Sequence, residues 1–173
     1  MIDRIHPADD NGSPLCMHLA TEADTAALGA ALGNALHAGL VIYLLGDLGA
    51  GKTTLVRGLL RGLGHRGSVK SPTYTLIEPY VVSRLNLYHF DFYRFNSPDE
   101  FLDAGLDEYF GGQGACMVEW PGKAAPHLPP PDLEVALSLA GTGRQVELKA
   151  GTEAGRRCLT ELSNALRAPP APA

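Results

Sequence analysis

Residues 46 to 53 read Gly46-Asp47-Leu48-Gly49-Ala50-Gly51-Lys52-Thr53, a glycine, four residues, then Gly-Lys-Thr. This spacing suits phosphate. Glycines let consecutive backbone N–H groups turn inward around an oxyanion, and a helix beginning directly behind them aims its positive end at the same point. Lys52 supplies an ammonium for the β- and γ-phosphates, and Thr53 a hydroxyl for Mg²⁺. The competing reading is a glycine-rich strand-to-helix turn with an incidental lysine. The flanks disfavour it: Leu40-Val-Ile-Tyr-Leu-Leu45 has the unbroken apolar character of a strand buried on both faces, and a helix pattern runs from about Lys52 to Leu63, closed by Gly64. Nucleotide binding is the expectation.

Holding phosphate is not hydrolysing it. An acid must complete the Mg²⁺ shell or position water, normally from the C-terminal end of a neighbouring strand. Glu119 follows the apolar Cys116-Met-Val118 and precedes Trp120; Asp91 lies within Tyr88-His-Phe-Asp-Phe-Tyr-Arg94. For each the competing reading is a solvated carboxylate, which fits poorly between Phe90 and Phe92. Ser71-Pro72-Thr73 falls where switch-like loops sit, with an ordinary Ser-Pro turn as the plainer alternative. Arg57 and Arg61, four apart on the helix after the loop, read more readily as a solvated face than as a phosphate strip. Arg94, Lys123 and Arg144 are further candidates for phosphate or adenine, and only Arg94 is close in sequence to a catalytic candidate. Trp120 suits core or interface as well as base stacking.

The elements that must position these groups alternate. Thr21-Glu-Ala-Asp24 opens a helix with a capping-box arrangement, an Ala/Leu stripe (Ala23, Ala27, Leu28, Ala30, Ala31, Leu32, Leu36) forms its face, and Gly39 closes it. Thr73–Val82 and Leu85–Phe92 are β-rich, Ser97-Pro-Asp-Glu100 starts another helix, and Ala115–Val118 is a strand. Leu133–Leu139 and Gln145–Lys149 alternate around Ala140-Gly-Thr-Gly143 as a hairpin, and a last helix runs from about Glu153 to Leu166. The order predicts a P-loop NTPase-like three-layer α/β/α fold with a mixed, mostly parallel central sheet. The predicted organisation is a loose leader over 1–18, one P-loop ATPase domain over 19–167 and a fraying Pro/Ala tail over 168–173.

Composition narrows the function classes. The 173 residues are 45% hydrophobic and 19% charged, enough apolar content for a core, and the formal charge of -5 argues against a broad basic face gripping a phosphate backbone unaided. No apolar run is long enough for a membrane span and no signal peptide opens the chain, so a cytoplasmic protein is expected. Three scattered cysteines and six histidines lack disulfide or metal-ligand spacing.

Five stretches resemble, in order, the TsaE (YjeE) family of small P-loop ATPases: Gly46–Thr54, Ser71-Pro-Thr-Tyr-Thr-Leu76, His89-Phe-Asp-Phe-Tyr-Arg94, Gly105-Leu-Asp-Glu-Tyr-Phe110 and Val118-Glu-Trp-Pro121. The loop alone is generic; the combination is specific, and it covers roughly residues 20–150. The resemblance implies an ATPase of tRNA N6-threonylcarbamoyladenosine formation that binds the threonylcarbamoyl-transferase complex (TsaD/TsaB-type subunits). It would sustain that complex's turnover and meet tRNA indirectly or within the assembly. It further implies that Asp47, Leu48, Gly49, Ala50, Gly51, Lys52, Thr53 and Thr54 hold ATP, with Thr25 beside the nucleotide. Thr53 and Glu119 would ligate Mg²⁺, Asp91 would assist hydrolysis, and Ser71–Thr75 would act as the γ-phosphate switch. The alternatives are a P-loop nucleotide or small-molecule kinase, for which an Arg-rich lid is poorly supplied, a GTP switch, for which no Asn-Lys-x-Asp is present, and a purely regulatory ATP-binding module.

Overall fold

A computed structural model describes residues 2–6, 12–82 and 84–169. One eight-stranded sheet organises them. Its strands are β1 (Asp3–His6), β2 (Leu15–Leu19), β3 (Val41–Leu45), β4 (Ile77–Val82), β5 (Leu85–Asp91), β6 (Gly114–Glu119), β7 (Leu133–Ala140) and β8 (Gly143–Ala150), in the order β1-β2-β8-β7-β3-β6-β5-β4. The central strands β7, β3, β6 and β5 run parallel, as both-face burial of Val41–Leu45 leads one to expect, and antiparallel partners flank them on each side.

One face carries the long helices α1 (Glu22–Ala35), α2 (Lys52–Gly62) and α4 (Glu153–Arg167). Ile42 and Leu44 of β3, Met117 of β6 and Val135 of β7 join Leu28, Leu55, Leu59 and Leu162 in the core beneath them. The opposite face is covered by the short helix α3 (Glu100–Asp103) and two 3₁₀ turns, over a cluster of Phe90, Phe92, Phe95 and Phe101 with Cys116 and Val118. Stacked and edge-on rings fill that side, which lacks a long helix among the described residues.

Three local expectations change. Residues 15–18, placed by the sequence in a loose leader, form most of β2, whose Leu15, Met17 and Leu19 are wholly buried. That alternation spans only five residues, too few to read as a strand until the partner strand β8 is in place. Residues 1, 7–11 and 170–173 of the expected leader and tail lie outside the described residues. α1 opens on the anticipated capping box, Thr21 Oγ1 accepting from the Asp24 amide and the Asp24 carboxylate from the Thr21 amide. Its buried face, however, is Leu28, Gly29, Leu32 and Gly33, while Ala23 and Ala27 are exposed, and the helix stops at Ala35 rather than at Gly39. The reason is the crossing with α2. A Cβ on Gly29 would lie 2.2 Å from Leu55 O and one on Gly58 2.2 Å from Ala26 O, so the helices touch backbone to backbone through glycines. Arg84 caps the end of α1 by donating to the carbonyls of Gly33, Asn34 and Leu36. Finally, β4 begins at Ile77, because residues 73–76 form a turn in which Leu76 adopts a left-handed φ of 68°.

Candidate active site

The candidate site is built where strand ends meet helix starts. β3 ends at Leu45; the chain turns through Gly46, Gly49 and Gly51, all at positive φ, and enters α2 at Lys52. Gly51, at φ 109°, takes the N-cap position without a side chain, leaving the first amides of α2 facing the cleft. A cleft of about 420 Å³ opens there, lined by Leu48, Gly49, Gly51, Lys52, Thr53 and Thr54 of the loop, and by Thr25, Ser71, Thr73, Asp91, Glu119 and Trp120.

Asp91 and Glu119 are the last residues of neighbouring parallel strands and stand in register with each other. Both are almost fully buried. Lys52, equally buried, donates from Nζ to Gly46 O, lies 4.0 Å from Glu119 Oε1 and sits 4.7 Å above the Trp120 ring. Trp120 adopts a left-handed φ of 56°, which turns its ring from the strand end toward the ammonium. Asp91 is held at both oxygens: the Tyr93 amide donates to Oδ1 at 2.8 Å and the Thr73 hydroxyl to Oδ2 at 3.0 Å, with Ser71 Oγ 2.8 Å from Thr73 Oγ1. Burial, reinforced by the neighbouring Glu119 charge, holds the Asp91 carboxyl above its ordinary pKa against the opposing pull of those hydrogen bonds.

The structure thus brings Thr25, Lys52, Thr53, Thr54, Asp91, Glu119 and the Ser71–Thr73 turn to one cleft. Asp47 is exposed and Ala50 buried beneath the loop, and neither lines the cleft. Arg94 is elsewhere: its guanidinium stacks 4.0 Å over Tyr74. Arg57 lies on the outer side of α2, and Arg61 donates to His65 O and Gly67 O.

Arg144 is the cationic side chain of the cleft wall that sequence reasoning ranked below Arg94. It stands at the start of β8, with Thr142 and Gly143 beside it at the cleft. Its Nε donates to Ala50 O at 2.8 Å and Nη2 to Gly49 O at 3.3 Å, so the hairpin is stapled to the phosphate loop. No local signal places a hairpin more than ninety residues downstream against that loop. Glu22, which accepts from Thr54 Oγ1, and buried His89 were likewise given no role.

A model of the family described as "Threonylcarbamoyl adenosine biosynthesis protein TsaE" matches residues 19–146. The chain belongs to the TsaE family. Among its relatives is the tRNA threonylcarbamoyladenosine biosynthesis protein TsaE of Haemophilus influenzae, 45% identical over 125 residues that cover 72% of this chain and 79% of the relative. The protein of the same name from Treponema pallidum is 41% identical over 122 residues, 70% of this chain and 90% of that one. The crystal structure of Bacillus subtilis YdiB superposes with a TM-score of 0.77 at 34% identity, over 88% of this chain and 96% of that chain. These names favour tRNA modification over the kinase alternative, and the superposition agrees with the P-loop α/β fold.

Proposed function

We propose that this TsaE-family chain is a Mg²⁺-dependent ATPase of tRNA threonylcarbamoyladenosine formation, acting in the cytoplasm beside the threonylcarbamoyl-transferase complex. The observation that carries the reading is the convergence, behind one glycine turn, of buried Lys52, Asp91 and Glu119. Most surface cations and acids are solvated; three held at under a tenth exposure around one cleft serve chemistry.

Each group has a role. The amides of residues 49–53 and the start of α2 donate to phosphate oxygens, and Lys52 adds its ammonium. The oxygen donors at the cleft, the Thr53 hydroxyl and the carboxylates of Glu119 and Asp91, fit Mg²⁺, which needs only one or two carboxylates when phosphates supply the rest. Thr53 and Glu119 would hold it; when bound it would neutralise charge building on the phosphate oxygens. Asp91 orients the attacking water, and its bond to Thr73 ties that carboxylate to the Ser71–Thr75 turn, the segment that responds to the γ-phosphate. The acidic net charge fits a protein that meets tRNA within an assembly whose other subunits supply basic surface.

The test is calorimetry with ATP and Mg²⁺, paired with phosphate release in the presence and absence of purified transferase complex. Binding, slow release alone and faster release with the complex are expected. Absence of binding in both settings overturns the proposal, and phosphoryl transfer to a member of a nucleoside panel with little free phosphate would make it a kinase.

A further inference from the structure

His89 is wholly buried on β5, opposite Met117 of β6, with its side chain on the same face as Asp91 two residues on. Its strand neighbours on that face, Leu85 and Leu87, are core residues. A leucine would fill such a place at less cost than an imidazole, whose ring nitrogens must be desolvated. Nε2 is 3.0 Å from Glu119 Oε2. Nδ1 is buried with no hydrogen-bond partner among the described residues. A carboxylate oxygen only accepts, so the proton of the neutral ring belongs on Nε2, and Nδ1 is left with an unused lone pair. The fold therefore tolerates an orphaned buried nitrogen in order to direct one N–H at Glu119.

That bond divides the work of the two carboxylate oxygens. Oε2 is fastened from within the sheet by His89, and Oε1 is on the side of Lys52, 4.0 Å from its ammonium, at the floor of the cleft. A glutamate side chain has three torsions to settle and loses much rotamer freedom when fixed. We propose that His89 is a positioning residue: it fixes the Glu119 carboxylate from behind, so that the other oxygen is presented to the cleft already oriented. The inference rests on the ATPase reading given above. It assigns His89 no contact with nucleotide and no proton transfer.

A core-filling role and a positioning role separate experimentally. His89→Leu keeps bulk and removes the donor. His89→Gln carries an amide N–H to the distance of Nε2, whereas the His89→Asn amide is too short and reaches only the place of Nδ1. His89→Leu should lower kcat for ATP hydrolysis roughly 10- to 100-fold, the usual cost of losing the group that orients a ligand. The KM for ATP should stay within about threefold, because the phosphate loop is untouched. The Mg²⁺ concentration giving half-maximal rate should rise. His89→Gln should recover most of the loss and His89→Asn should not. A readout independent of turnover is long-range ¹⁵N–¹H NMR of the His89 ring in the nucleotide-free protein, which should show the Nε2-protonated tautomer. Should His89→Leu fail to fold, the Gln and Asn variants decide, with melting curves establishing that both are native. Equal rates for Gln and Asn, a full-speed His89→Leu enzyme, or a proton on Nδ1 would each overturn the role. A wild-type protein that neither binds nor hydrolyses ATP would sink the ATPase reading and this role together; an active wild type beside a full-speed Leu variant sinks this role alone.

Discussion

Asp91 illustrates what a buried carboxylate costs its own fold. Burial and the adjacent Glu119 raise its pKa above the ordinary 3.8. The sign follows from linkage: with the folded value raised, the penalty is absent below the unfolded pKa, grows as pH climbs through the folded one and is complete above it. Asp91→Asn should therefore melt at a higher temperature than wild type near neutral pH, with the gap closing as the solution is acidified toward about pH 4, while hydrolysis slows and ATP binding remains. A gap unchanged across that range would mean that Asp91 exerts its effect through packing alone. At Lys52 the expectation runs the other way: Lys52→Ala should reduce kcat by about 10² or more, as loss of preorganised charge does. Near-normal phosphate release from that variant would remove Lys52 from the mechanism.

Among the elements, α1 and α2 are locked together beside the cleft. Their crossing is a contact of glycine on backbone, and α2 begins at the phosphate loop while α1 carries Thr25 at the cleft. Gly58→Ala raises intrinsic helix propensity by about 1 kcal/mol, yet its Cβ would stand 2.2 Å from Ala26 O. Overpacking of this kind costs roughly 1–3 kcal/mol, so the variant should melt lower, and displacement of Thr25 should raise the KM for ATP. A higher melting temperature would show that the helices part freely. Most of the elements themselves were legible from the sequence: the glycine turn, the capping box at Thr21 and the apolar run of β3 are local patterns with local causes. The face of α1 was legible in part: Leu28, Leu32 and Leu36 are buried as expected, whereas Ala23 and Ala27 are exposed because the contact with α2 runs through Gly29 and Gly33. Arg144 and His89 were present as letters, and their partners lie 94 and 30 residues away, beyond any periodicity.

At the scale of the whole molecule, the N-terminal segment is structural. β2 joins the sheet beside β8, in register with the hairpin that carries Arg144. Leu15, Met17 and Leu19 are each fully buried, and each such side chain contributes about 1.5–3 kcal/mol, together comparable with the net stability of a small domain at about 5–15 kcal/mol. Removal of residues 1–20 should leave a protein that melts far lower or fails to fold, by circular dichroism; a truncated chain with unaltered melting would return the segment to the status of a loose leader. The sequence concealed this because a lone strand has no visible partner until the distant hairpin pairs with it.

Gly46 has a consequence for how such sequences are compared. A Cβ there would fall 2.4 Å from Leu137 O, so this first glycine answers to a neighbouring strand of the sheet whether or not an anion is bound. A descendant that had given up nucleotides altogether would still be obliged to retain it, while its counterpart of Lys52 drifted. Within this architecture, then, the opening letter of the signature testifies to ancestry, and only the closing letters testify to trade.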